Sequence, residues 1–213
     1  TIPFEMERIR AGRNSEVWRL SNRDGRWILK NYHQDTATEC DRLGTEFAFL
    51  EFLNNVGVRG VARPLGIDRP FNRALYSFLS GNRPSTITAR HITQAASFVR
   101  EVNEHRTAPE AVALGNASDA CFSLRDHLEL TEARMGRLMA ITPEPGVQAE
   151  AHAFLNERVH PRWVETRDRL AREMESSEFE KPLPTGARIL SPSDFGFHNT
   201  LEAKGDLFFL DFE

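Results

Sequence analysis

The chain has only two cysteines in 213 residues, Cys40 and Cys121. Two are too few for a disulfide framework, and their separation matches no metal-ligand spacing. They read as free thiols of a reducing compartment, which points to a cytoplasmic protein. Long apolar runs are also missing: none approaches the ~20 residues of a membrane span. The opening Thr-Ile-Pro-Phe-Glu-Met-Glu-Arg carries no signal-peptide pattern. Basic residues are not in excess. Lys and Arg number 27 against 31 Asp and Glu, a net charge of −4, which lacks the electrostatic footprint of a nucleic-acid binder. An initiator Met is absent and the chain stops at Glu213 directly after an apolar run, so both ends are expected to be trimmed. What remains, 40% hydrophobic and 27% charged, is an ordinary globular composition. Its length suits one large domain or two small lobes sharing a cleft.

The first 80 residues read mainly as strands. Ile9 opens into Arg10-Ala11-Gly12-Arg13-Asn14-Ser15, and Val17-Trp18-Arg19-Leu20 follows as a strand. Asn22-Arg23-Asp24-Gly25 is turn chemistry, and Arg26 to Tyr32 returns as the second arm of a hairpin. The Gly12–Ser15 loop precedes a strand and lacks a Gly-Lys-Ser/Thr ending, so it is no Walker loop. It is either a surface turn or a small-residue loop whose N–H groups and Ser15 hydroxyl face phosphates. Alternation places Lys30 beside Ile28, either pointing into a cleft or snorkelling from an edge. Leu43, Phe47, Leu50 and Leu53 mark a helix over residues 41–55, with Glu46 either beside its apolar stripe or on a solvated flank. Residues 62–67 and 74–79 read as two further strands around a Pro70/Asn72 turn.

Ser80-Gly81-Asn82-Arg83-Pro84 breaks this pattern, and the chain turns helical, so the expected domains are 1–80 and 81–213. Ile92, Ala95, Ala96, Val99 and Val102 define a helix over residues 86–105 with Thr86 or Thr88 as its cap. A loop is expected over residues 107–123, then a helix from Leu124 to Ile141 with Leu128, Met135, Leu138 and Met139 inward. Val147 to Glu175 reads as a long, charged helical stretch broken or kinked at Pro161. Near the end, apolar residues deliver polar groups twice: Ile189-Leu190 leads to Asp194 and Asn199, and Leu207-Phe208-Phe209-Leu210 leads to Asp211. Three such oxygen-bearing groups can position a hydroxyl and hold a hard cation such as Mg²⁺, the combination that phosphoryl transfer needs. Loop, turn and strand-end roles are the plain alternatives for the same three residues. His198, beside Asn199, reads either as a loop histidine that packs or hydrogen-bonds locally, the commoner case, or as a metal or acid–base group.

The order of these pieces resembles the aminoglycoside phosphotransferase-like branch of the protein-kinase-like fold, which includes choline kinases. The matches lie at Trp27–Lys30, Glu46, Asp194–Asn199 and Leu207–Glu213. The resemblance implies an α+β, two-lobed fold: an antiparallel N-terminal sheet with one helix, and a mostly helical C-terminal lobe. It implies ATP and Mg²⁺ as cofactors and a small-molecule hydroxyl as acceptor. Gly12 and Ser15 would lie over the phosphates, with Lys30 on the α/β-phosphates held by Glu46. The hinge at Leu75–Gly81, with Tyr76, Phe78 and Leu79, would meet adenine. Asp194 would be the catalytic base, and Asn199 and Asp211 the metal ligands. One departure is plain. The family usually reads His-Gly-Asp where this chain has Pro192-Ser193-Asp194, so the loop must be braced from elsewhere. That change also leaves open a nucleotide- or partner-binding module without transfer, and a protein kinase is a third, weaker reading.

Overall fold

The computed structural model describes residues 4–11, 14–33, 41–117, 119–192 and 194–212. Two compact units result, one formed by residues 1–118 with 189–213 and the other by residues 119–188.

The first unit holds a five-stranded antiparallel sheet. Its strands are β1 (Glu5–Ala11), β2 (Ser15–Asn22), β3 (Gly25–Tyr32), β4 (Pro64–Asp68) and β5 (Arg73–Ser77), in spatial order β1-β2-β3-β5-β4. The β2–β3 turn closes because the Asn22 side-chain oxygen accepts from the N–H groups of Asp24, at 2.8 Å, and Gly25, at 3.1 Å. This Asx geometry is what the Asn-Arg-Asp-Gly sequence supplies. The far end of β3 is tied by Asn72, a left-handed residue at φ 50°. Its amide donates to the Tyr32 carbonyl at 2.8 Å, and its own carbonyl accepts from the Tyr32 N–H at 2.8 Å.

Helix α1 (Arg42–Asn55) starts at Asp41, whose carboxylate caps the Gly44 N–H at 2.8 Å. Its buried face is Leu43, Glu46, Phe49, Leu50, Phe52 and Leu53. Helix α2 (Ala89–Glu104) begins with a capping box in which Thr88 and His91 satisfy each other's N–H groups. Its inward stripe is His91, Phe98 and Val102, with Ala95 packed against it. The expected phase placed Ile92 inward, but Ile92 is 59% exposed. The stacking of Phe98 on Phe209, with ring centroids 4.1 Å apart, belongs to the phase that turns Ile92 outward. Within the stretch expected to be loop, Pro109–Val112 forms a short helix, α3. Strands β6 (Thr200–Ala203) and β7 (Asp206–Phe209) make a second hairpin. Its turn uses two positive-φ residues, Lys204 and Gly205, as right-handed strand twist requires. One hydrophobic core joins α1, α2, the inner sheet face and β7, with Leu53 and Val102 fully shielded from solvent.

The second unit contains α4 (Leu124–Met139), α5 (Val147–Phe154), α6 (His160–Glu173) and α7 (Ser176–Glu180). Phe179 is its one buried hydrophobic residue among those described. Polar contacts supplement this small core, including Trp163 Nε1 donating to Glu132 at 2.6 Å and Arg125 donating to Glu180 at 2.6 Å. In α4 no residue is buried; Leu128, Met135 and Met139 are half-buried, whereas Leu138 is 42% exposed, contrary to expectation. Helical geometry explains it, because Leu138 sits about 80° around the helix from Leu128 while Met135 and Met139 fall within about 20°. Pro161 does not break its helix. Residues Leu155–Val159 widen into a π-turn that runs directly into α6. Pro161 lacks the N–H that an α-helical turn would use there, and the wider turn absorbs the loss. Among the described residues, no helix is long and apolar enough to cross a membrane.

Candidate functional site

Lys30 stands on β3, an interior strand, and is 6% exposed, so it does not snorkel. Its ammonium donates to Glu46 Oε2 at 2.7 Å and to Asp211 Oδ1 at 2.6 Å. Glu46 is 4% exposed, turned into the core from the second turn of α1. Lys30 thus joins a carboxylate from α1 to one from the end of the second hairpin.

Tyr32, two residues beyond Lys30 and on the same strand face, completes the pair's surroundings. Its hydroxyl donates to Glu46 Oε2 at 2.6 Å and lies 2.8 Å from the Tyr76 hydroxyl. Burial, and then the neighbouring Glu46 carboxylate, hold the Tyr32 phenol far above its ordinary pKa, so it stays protonated. Tyr76 is therefore a core residue by its side chain, on the Glu46 side of β5. Phe78 and Leu79 follow it beyond the strand and are half-buried. Arg26 from β3 covers the Phe78 ring at 4.4 Å and donates to Ser80 Oγ at 3.3 Å, so the segment after β5 is held against the sheet. Ser15 is buried at the start of β2, opposite Tyr32, and Gly12 lies outside the described residues.

Asp211 reaches Lys30 because its flanks are fixed. Before it, the Leu210 N–H donates to the Asn199 carbonyl at 2.9 Å; after it, Phe212 packs on Phe49 of α1 with centroids 5.5 Å apart. Asp211 itself takes φ 68°, a left-handed conformation that costs free energy for any residue with a Cβ and that aspartate tolerates better than most. Asn199 is 5% exposed. Its amide donates to the Asp194 carbonyl at 3.2 Å, while its Oδ1 is buried with no hydrogen-bond partner among the described residues. A buried acceptor without a donor is costly, and an oxygen-seeking cation would satisfy it. The oxygen donors of Asn199 and Asp211 fit Mg²⁺.

Asp194 projects from the loop between the two apolar runs, its side chain 78% exposed and 3.0 Å from His198 Nε2. The approach to this loop is braced by Asn103 of α2. Its amide donates to the Leu190 carbonyl at 3.0 Å, and its Oδ1 accepts the Leu190 N–H at 2.9 Å. Sequence reasoning missed Tyr32, whose parity with Lys30 was the available signal. It also missed Asn103, whose fit to a free backbone segment left no local signal.

The chain matches the model of a family described as a phosphotransferase enzyme family over residues 5–213. A search of curated proteins by sequence finds no match. Among solved structures, it resembles spectinomycin phosphotransferase in complex with ADP and spectinomycin (TM-score 0.61, 14% identity), covering 100% of this chain and 64% of that one. It also resembles macrolide 2′-phosphotransferase from Brachybacterium faecium (0.58, 17%, covering 98% and 65%). Choline kinase from Cryptosporidium parvum Iowa II is similar as well (0.62, 11%, covering 98% and 58%). At these identities the likeness is one of fold, and the chain spans less than two thirds of each structure's length.

Proposed function

Since the chain belongs to the phosphotransferase enzyme family, we propose that it transfers the γ-phosphoryl group of ATP, with Mg²⁺, to a hydroxyl of a small polar molecule. The observation that carries this reading is the buried Lys30, bound at once to Glu46 and Asp211. With nucleotide present, Lys30 would meet the α/β-phosphates while Glu46 keeps it oriented. Asn199 Oδ1 and the Asp211 carboxylate would hold Mg²⁺, which supplies charge neutralisation on the transferring phosphate. Ser15, with Gly12, would line the phosphates, and the backbone at Phe78 and Leu79, with Tyr76 behind it, would meet adenine. Asp194 would accept the proton of the acceptor hydroxyl as that oxygen bonds to phosphorus and the bond to ADP breaks. Residues 1–80 would form the nucleotide lobe and 81–213 the lobe of the catalytic loop and metal ligands. An aminoglycoside, a sugar or an amino alcohol fits as acceptor class. The two cysteines support a cytoplasmic setting.

The test is ADP release from Mg·ATP by the full-length protein, offered hydroxyl acceptors of these classes. Asp194→Asn should lower kcat by about 10²–10⁴-fold with the KM for ATP little changed. Near-normal turnover by that variant contradicts the assignment. Tight Mg·ATP binding without turnover in the wild type would favour the non-transferring module that Pro192 and Ser193 raise.

A further inference from the structure

Asp194 meets His198, a residue to which the proposed phosphoryl-transfer reading, on which this inference rests, gives no part. His198 Nε2 lies 3.0 Å from Asp194 Oδ2. Gly196, between them, is the residue that permits it: a Cβ there would stand 2.7 Å from both Cε1 and Nδ1 of the imidazole. The φ of Gly196 is −154°, ordinary extended backbone. Glycine is therefore needed for the space the ring occupies and not for backbone freedom. The loop around the pair is anchored on the core. Phe195 stacks on Phe98 and Phe209, with centroids 5.9 and 5.3 Å away. The Asn199 N–H donates to the Gly196 carbonyl at 2.9 Å, and Thr200 Oγ1 donates to the Phe197 carbonyl at 2.8 Å. A fixed loop thus presents an exposed pair, with side chains 56% and 78% accessible. Exposed pairs contribute little to stability, so a loop shaped to make one has its use elsewhere.

We propose that His198 is a positioning residue for Asp194: its ring N–H holds Oδ2, so that Oδ1 is aimed at the acceptor hydroxyl. His198 moves no proton in this account. Gly196 serves the same end by admitting the ring.

The experiment follows Mg·ATP hydrolysis, with water as acceptor, and Mg·ATP binding by calorimetry, in the full-length protein. His198→Ala should lower kcat by about 10- to 100-fold, the scale of a misplaced catalytic group, with Mg·ATP affinity within about twofold and the melting temperature unchanged. His198→Gln, which keeps an N–H near the Nε2 position, should recover most of the loss. Gly196→Ala, which keeps the histidine but displaces its ring, should lose turnover as His198→Ala does. The Asp194→Asn/His198→Ala double variant should be no slower than Asp194→Asn, because His198 acts only through that carboxylate. Full turnover in His198→Ala overturns the proposal. So does an equal further loss in the Asp194→Asn background, or a drop in melting temperature that tracks the loss of turnover. If Asp194→Asn itself turns over normally, the functional reading fails, and this inference with it.

Discussion

Lys30 Nζ and Asp211 Oδ1 lie 2.6 Å apart although 181 positions separate them in the chain. No local pattern produces that contact. The β2–β3 hairpin and α1 deliver Lys30 already bound to Glu46, and the Phe49–Phe212 contact helps bring Asp211 to meet it. The ammonium is nearly enclosed, its side chain 7% exposed, so each carboxylate compensates a desolvated charge.

Glu46→Ala removes one of the two carboxylates that Lys30 meets and the acceptor of the Tyr32 hydroxyl. Lys30 keeps Asp211, so no buried charge is left alone, and the loss should be that of buried donors short of an acceptor, about 1–3 kcal/mol. Urea unfolding should show a loss on that scale. A loss below about 1 kcal/mol, the range of exposed pairs, would mean that the cluster is not buried and coupled as described.

Tyr32→Phe keeps the ring and deletes the hydroxyl between Glu46 and Tyr76. It should cost about 1–3 kcal/mol. It should also change the response to alkali. The folded phenol ionises far above the ordinary value of 10.0, chiefly because it is buried. Its stabilisation is complete below that unfolded value and is lost as pH rises past it, since only the unfolded chain then gains by releasing the proton. Melting temperatures between about pH 8 and 11 should fall less steeply in Tyr32→Phe than in the wild type. Parallel curves would contradict this reading.

Gly81→Ala tests the join between the segment after β5 and β6. Gly81 has φ 155°, and a Cβ there would stand 2.8 Å from the Glu202 carbonyl oxygen. That carbonyl accepts the Asn82 N–H at 3.1 Å, and the Glu202 N–H donates back to Asn82 at 2.7 Å. A strained backbone and a displaced bridge together should cost about 1–3 kcal/mol, read by chemical denaturation. Wild-type stability would mean that the segment yields freely.

Much of the five-stranded sheet and α1 was legible because its signals are local. Asn22 and Gly25 mark their turn, alternation sets the face of Lys30, and the 3.6-residue period brings Glu46 beside Leu43 and Leu50. Asp194, Asn199 and Asp211 stood out by spacing and by the apolar residues leading to them. The partners of these groups were harder to read. The Asn103–Leu190 exchange and the His198–Asp194 contact depend on how a loop settles on a helix and on a glycine, which periodicity does not encode. Helix phase failed at Ile92, where packing around Phe98 overrode a stripe that counting alone supported equally well. Leu138 failed because it lies about 80° around α4 from Leu128, off the half-buried row of Met135 and Met139.

The central claim is that Lys30 and Asp211, brought together from opposite ends of the chain, hold Mg·ATP. Calorimetric titration of ATP into the full-length protein, with and without Mg²⁺, measures this most directly. The wild type should bind ATP more tightly with Mg²⁺, and Lys30→Ala and Asp211→Ala should each weaken that binding by about tenfold or more, the loss of one charge-assisted contact. Unchanged Mg·ATP binding in both variants, or no ATP binding by the wild type, would contradict it.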